Sequence, residues 1–252
     1  MRILQNPLLI AAQIMMGTVC CVETPDPVVA LTFDDGPNPR VTPRVLRVLK
    51  EHHALATFFM VGELAQQHPE VVRCVAEAGH AIGNHSWSHP SFRLISARER
   101  REQIRACERA LHPYGQKLIR PPYIHQSVAS RLEMLEMGYR IIGFDVHAED
   151  WLPRDADWMA AQLVRRIKPG SIVILHDNIH HSVQVAPQYD RSAMVDALQS
   201  ALDTLAATFR FVTIPELLLH GRPKKRWDFK QPDARIIETL KSIHCSSPGH
   251  PV

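Results

Sequence analysis

Residues 28–37, Val28-Val-Ala-Leu-Thr-Phe33-Asp34-Asp35-Gly36-Pro37, decide how the rest of the chain is read. The first six form a short apolar run rich in β-branched residues. Pro25-Asp-Pro27 punctuates the chain before it and Gly36-Pro37 after it, the pattern of a buried strand. Thr42 then reads as a helix N-cap with Pro43 at the first helical position, and Val45, Leu46, Val48 and Leu49 follow at helical spacing. A strand followed by a helix over about residues 43–53 is predicted.

Working outward, the same pair of signals recurs. Strands are predicted at Ala56 to Val61, Ala81 to Gly83, Leu118 to Arg120, Tyr139 to Asp145, Ile172 to Leu175 and Phe211 to Ile214. Between them, helices are predicted over Pro69 to Ala78, Ser96 to Leu111, Val128 to Met137, Asp155 to Ile167 and Ala193 to Ala207, several closed by Gly79, Gly138 or Pro169-Gly170. About seven short strands alternating with helices of roughly 10 to 15 residues imply βαβ units and a parallel sheet, either doubly wound or closed into a barrel. The barrel is the expectation, because α/β barrels commonly run to about 250 residues as one domain.

The 252 residues are 45% apolar and 22% charged, enough apolar mass for one large core, which excludes a disordered chain. A net charge of +3 with no run of five basic residues argues against nucleic acid as a partner. Five cysteines, without a CxxC pair, indicate neither a disulfide framework nor a thiolate zinc site. Neither a phosphate loop nor a dinucleotide fingerprint is present, so no nucleotide cofactor is expected. Residues 1–26 read as a leader: Arg2 precedes an apolar stretch from Leu8 to Val22, interrupted by Gln13, which fits an export signal or a peripheral strand but is short for a membrane span. Residues 27–220 read as one catalytic domain, and 221–252 as a peripheral tail that is first basic and then polar.

Titratable clusters follow strand after strand at the C-terminal end, where α/β folds place active sites. Asp34 and Asp35 are adjacent carboxylates, costly unless a cation or a shared proton relieves their repulsion. His85-Ser-Trp-Ser-His89 lies in a loop bounded by Gly83 and Pro90. Two histidines and a carboxylate would leave an open position on Zn²⁺ or a similar ion. Arg120-Pro-Pro-Tyr123 holds a guanidinium on stiffened backbone, suited to orienting a carboxylate base. Asp150-Trp151 and His176-Asp177 end two later strands, and a histidine with a neighbouring carboxylate suits general acid work. Singly, each has an ordinary explanation: a turn, a chance histidine pair, a rigid loop, a structural histidine.

Together, Thr32-Phe33-Asp34-Asp35-Gly36-Pro37, His85-Ser-Trp-Ser-His89, Arg120-Pro-Pro-Tyr123, Asp150-Trp151 and Leu175-His176-Asp177, in that order, resemble the five-motif signature of the polysaccharide deacetylases, carbohydrate esterase family 4, over about residues 28–217. The resemblance implies an α/β fold, a distorted (β/α)₇ barrel in a single domain, and metal-dependent removal of acetyl groups from N-acetylated sugars of chitin oligomers or peptidoglycan. By matched position it makes Asp35, His85 and His89 the metal ligands, for zinc or cobalt, and Asp34 the general base. It makes Arg120 the holder of that base, the Tyr123 backbone N–H the oxyanion donor, His176 the general acid and Asp150 its tuning partner. Trp151 and Leu175 would line the acetyl pocket.

Two positions depart from the family pattern. Ile124 stands where the family usually has Gly, and a β-branched residue resists the positive φ that Gly permits, so a reshaped loop is expected. His147 replaces the first Asp of the fourth motif. Residues 178–190, with His180 and His181, are long for a loop and are expected to form one wall of the groove. An acetylxylan esterase or small-amide hydrolase of the same fold, and a catalytically silent glycan-binding protein, remain alternatives. A glycan substrate points to export or the cell envelope, with a cytoplasmic location also open. Oligomeric state is not legible.

Overall fold

In the computed structural model, which describes residues 16–180 and 190–227, the run Val28–Asp34 is a strand buried at every position. The elements, in chain order, are β1 (Thr18–Glu23), β2 (Val28–Asp34), α1 (Thr42–Glu51), β3 (Ala56–Met60), α2 (Gly62–Gln67), α3 (Pro69–Glu77), β4 (Ala81–Asn84), α4 (Ala97–Leu111), β5 (Gly115–Ile119), a 3₁₀ turn (Pro122–Ile124), α5 (Val128–Glu136), β6 (Arg140–Ile141), β7 (Val146–His147), α6 (Ala156–Arg166), β8 (Ile172–His176), α7 (Ser192–Leu205), β9 (Arg210–Phe211), α8 (Ile214–Leu217) and β10 (Arg222–Arg226). Seven strands form a curled parallel sheet in the order β6-β5-β4-β3-β2-β8-β7, a half-barrel, with the short β9 beside the start of β2.

The strand expected over 139–145 is split in two. β6 pairs with β5 and β7 pairs with β8, the two ends of the sheet path, so the intervening residues must change partners. Ile142 donates to the Ile119 carbonyl at 2.9 Å, Gly143 to that of Val19 at 2.7 Å, and Asp145 to that of Ile172 at 3.1 Å. The strand expected over 211–214 also stops early. Thr213 caps α8, its hydroxyl accepting the Glu216 N–H, and Pro215 sits in the first turn. Thr42, expected as an N-cap, lies inside α1 after Val41; its hydroxyl accepts the Asn38 N–H at 2.8 Å and donates to Asp177.

Alternation along the strands sorts the core into two layers. Val29, Leu31 and Phe33 of β2 pack outward with Val45 and Leu49 of α1, Leu163 of α6 and Leu198 and Leu202 of α7. Val28 and Ala30 face inward, where Phe59, Leu118, Ile142 and Ile172 fill the curl. Burial of each large apolar side chain contributes about 1.5–3 kcal/mol. The next inward positions up β2 are Thr32 and Asp34, so the apolar filling gives way to polar groups at the C-terminal end.

β1 lies within the stretch read as a leader and β10 within the stretch read as a tail; they pair antiparallel, and Val19 and Val22 insert into the inner core. Gly170 makes this contact feasible: its φ is +79°, and a Cβ there would stand 1.8 Å from the Val22 carbonyl oxygen. Residues 8–15 of the apolar N-terminal stretch lie outside the described residues, as does Cys245. Among the described residues, no helix is long and apolar enough to cross a membrane.

Candidate active site

Parallel pairing of β2 with β8 sets Asp34 directly beside His176, so two strand-end motifs meet through sheet register alone. Asp34 is 3% exposed, and its Oδ1 accepts from Arg120 Nη1 at 2.6 Å. Arg120 is itself fully buried. It donates to Thr32 Oγ1 at 2.8 Å and to the Gly143 carbonyl at 2.7 Å, and its guanidinium carbon lies 4.4 Å from the centre of the Phe59 ring. A planar fork held at this many points fixes the Asp34 carboxylate in one orientation.

His85 and His89 come from a loop, as their flanks suggested. Ser86 and His89 have φ of 68° and 59°. The turn is bound by side chains: Gln103 Oε1 accepts the N–H groups of Trp87 at 3.0 Å and Ser88 at 2.9 Å, and Ser86 Oγ accepts that of His89 at 3.1 Å. Asp35, at φ 71°, turns its carboxylate toward both rings, with Oδ1 3.2 Å from each Nε2. Its Oδ2 accepts the His180 N–H at 3.0 Å.

The donor set could hold a cation. His85 Nδ1 faces the Arg120 carbonyl oxygen at 2.7 Å, which has no proton to give, so the proton of a neutral ring sits on Nδ1 and Nε2 presents a lone pair to Asp35. Asp35 Oδ1 is buried and has no hydrogen-bond partner among the described residues. Two acceptors face one another, an arrangement that a divalent ion relieves. Asp35, His85 and His89 are the only such group of ligand atoms among the described residues.

Across the opening, His176 Nδ1 lies 3.0 Å from Asp150 Oδ1, and its backbone N–H donates to Asp150 Oδ2 at 2.8 Å. Burial pulls this imidazole down. The Asp150 charge and hydrogen bond, with the charges of Asp35 and Asp34, outweigh it and push His176 up to about 9. Arg191, which the sequence reading missed, donates to the Asp150 carbonyl at 2.6 Å, to its Oδ2, and to the His176 carbonyl. A lone arginine before an apolar helix carries no sequence signal.

Trp151 is 36% exposed and stands edge-on to the His176 ring at 5.6 Å. The ring of His147 lies against Trp151 with centroids 5.4 Å apart, tilted by 39°. Tyr123 packs edge-on against His89 at 4.5 Å, and burial, then the Asp35 charge, pushes its hydroxyl up. Leu175 is the residue that the structure does not bring to the site. It is fully buried in the outer core, one position before His176 and therefore on the opposite face of β8. Ile174 occupies the strand beside it.

Ile124 does adopt the left-handed backbone that its side chain resists, with φ 58°, directly after Tyr123 at φ 57°. The backbone holds this conformation at the cost of strain, about 1–3 kcal/mol for a residue held in a sparsely populated region. Ile124→Gly is therefore expected to stabilise the protein by about 1 kcal/mol, raising Tm by about 2–4 °C. A calorimetric Tm below that of the unsubstituted protein would show that the contacts of the half-buried isoleucine outweigh the strain. Of the 178–190 segment, Asn178 donates to the Asp35 carbonyl at 3.2 Å, and residues 181–189 lie outside the described residues.

A strand-and-helix half-barrel with carboxylates, imidazoles and a guanidinium at its C-terminal rim defines an α/β protein with a buried titratable site, and comparison with known proteins gives the family. The family profile Polysaccharide deacetylase matches residues 22–142. The chain is 35% identical over 202 residues to a peptidoglycan-N-acetylglucosamine deacetylase of Bacillus cereus, covering 78% of this chain and 70% of that one. It is 35% identical over 195 residues to a chitooligosaccharide deacetylase of Azorhizobium caulinodans, covering 76% and 88%. The crystal structure of the Bc1960 peptidoglycan N-acetylglucosamine deacetylase in complex with 4-naphthalen-1-yl-N-hydroxybenzamide superposes with a TM-score of 0.75 at 31% identity, covering 84% and 98%. The chain belongs to the polysaccharide deacetylase family, carbohydrate esterase family 4.

Proposed function

We propose that this protein is a divalent-metal-dependent deacetylase that removes N-acetyl groups from a GlcNAc-containing glycan, either a chitin oligomer or peptidoglycan. The observation that carries the reading is the buried meeting of Asp35 Oδ1 with two imidazole Nε2 atoms at 3.2 Å, beside a carboxylate locked by Arg120 and opposite a His176–Asp150 pair. The names of the relatives support the reaction class, and the donor chemistry supports zinc or cobalt.

Asp35, His85 and His89 would hold the ion. When bound, a divalent ion there supplies a Lewis acid that polarises the acetamide carbonyl and acidifies water. Asp34 is not needed as a ligand and takes the proton of the attacking water, while Arg120 keeps its Oδ1 occupied and its orientation fixed. The Tyr123 backbone N–H assists the developing oxyanion. His176 gives its proton to the departing sugar amine, and Asp150 supports the imidazolium. Trp151 walls the acetyl methyl group. The side chains read as base, ligands, acid and orienting arginine converge on one rim, which supports turnover over silent binding.

The test is acetate release from chitooligosaccharides and from peptidoglycan with added Zn²⁺ or Co²⁺, with a chelator as control. Chelator-sensitive acetate is expected. None from either substrate, with one metal bound per chain, would overturn the reading and send the search to acetylxylan. A pH prediction rests on His176. An imidazole raised from 6.5 to about 9 keeps its proton, and the stability that its partner provides, in full below about 6.5, and loses both as pH rises through about 9. NMR titration of the metal-free protein should place its midpoint near 9, and kcat should fall on the alkaline side. A midpoint near 6.5 would remove His176 as an acid supported by Asp150.

A further inference from the structure

Arg191 is 4% exposed and spends its whole guanidinium on the acid-side pair. Nη1 donates to the Asp150 carbonyl at 2.6 Å, Nη2 to Asp150 Oδ2 and, at 2.9 Å, to the His176 carbonyl, and Nε to that same carbonyl at 3.1 Å. One rigid fork thus grips both the main chain and the side chain of Asp150 together with the main chain of His176. Asp150 Oδ2, shared by Arg191 and the His176 N–H, cannot rotate without breaking both bonds. The remaining oxygen, Oδ1, is left to meet His176 Nδ1. A lysine, with a single ammonium centre, has no such fork to offer two carbonyls and a carboxylate.

We infer that Arg191 is the positioning residue of the acid side, fixing the Asp150 carboxylate so that the His176 ring faces the opening with its Nδ1 hydrogen-bonded and its Nε2 toward the leaving group. This rests on the reading of His176 as the proton donor. The role parallels that of Arg120 on the base side: two buried guanidiniums each hold one carboxylate, Asp34 for the base and Asp150 for the acid. Arg191 immediately precedes α7 and bonds the carbonyl of His176 at the end of β8, which ties the start of that helix to the acid-side strand.

The experiment compares Arg191→Ala and Arg191→Lys with the unsubstituted protein, all metal-loaded. Arg191→Ala is expected to lower kcat about 100-fold, as misplacement of a reacting group by about 1 Å can do, with KM and metal content unchanged. Added guanidinium should restore at least fivefold of the loss, and Arg191→Lys should lose nearly as much as the alanine variant. Independently of activity, the NMR resonance of the His176 Nδ1–H bonded to Asp150 should be lost by exchange in Arg191→Ala and return with guanidinium. An unchanged Nδ1–H resonance, or a kcat loss that guanidinium does not touch, would overturn the proposal. If the unsubstituted protein releases no acetate, the deacetylase reading fails while the resonance still decides the role of Arg191. Should the alanine variant not fold, Arg191→Lys answers both questions, and wild-type kcat there would also overturn the proposal.

Discussion

Asp34→Asn is expected to keep its metal and lose turnover by about 10³-fold, within the range that general acid–base catalysis contributes. The amide has the shape of the carboxylate and its oxygen still accepts from Arg120, but it takes up no proton. Asp35, His85 and His89 are untouched, so metal content measured on the purified variant should stay at one per chain. The substitution carries a second signature. Arg120 is fully buried, and its charge is countered by Asp34. Removing one partner of a buried ion pair costs about 3–5 kcal/mol, so Tm should fall as well, and activity must be read at a temperature where the variant is folded. Turnover within tenfold of the unsubstituted protein, with metal bound, would remove Asp34 from the chemistry.

His85→Ala is expected to lose the metal itself, and with it essentially all activity. Loss of an outer-shell partner alone costs about 10–100-fold in metal affinity, and loss of a direct ligand should exceed that. The alanine removes the Nε2 lone pair that faces Asp35 and also the Nδ1–H that the Arg120 carbonyl accepts. Chelator competition and metal stoichiometry measure the first effect directly. Unchanged stoichiometry would overturn the ligand set, whatever happened to turnover. The pair of variants separates two roles that adjacent carboxylates invite one to confuse: Asp34 acts on a proton and Asp35 holds a cation.

Much of the site was legible because its residues sit at strand ends, and strand ends are marked locally. The run from Val28 to Phe33 announces a strand by its β-branched residues, and the adjoining Asp34-Asp35-Gly36-Pro37 must then emerge at the C-terminal rim. The same logic carried Arg120, Asp150 and His176. It failed for Leu175, where the motif named the right neighbourhood but strand alternation turns that side chain outward into the helix-facing core. It missed Arg191, which meets Asp150 and His176 only in the folded chain.

Local sequence signals sufficed for most of the alternation of strands and helices from Val28 to Phe211, for several of the caps and breaks between them, and for which chemical groups the chain can bring to one rim, because periodicity, capping and turn chemistry act over a few residues. Only the tertiary structure decided which strands became neighbours, that residues 139–147 split between two partners, that β1 and β10 pair across the length of the chain, and that Ile124 holds a positive φ. Those outcomes depend on sheet register and on packing between residues far apart in sequence, where an unfavourable local choice persists because many distant contacts outweigh it.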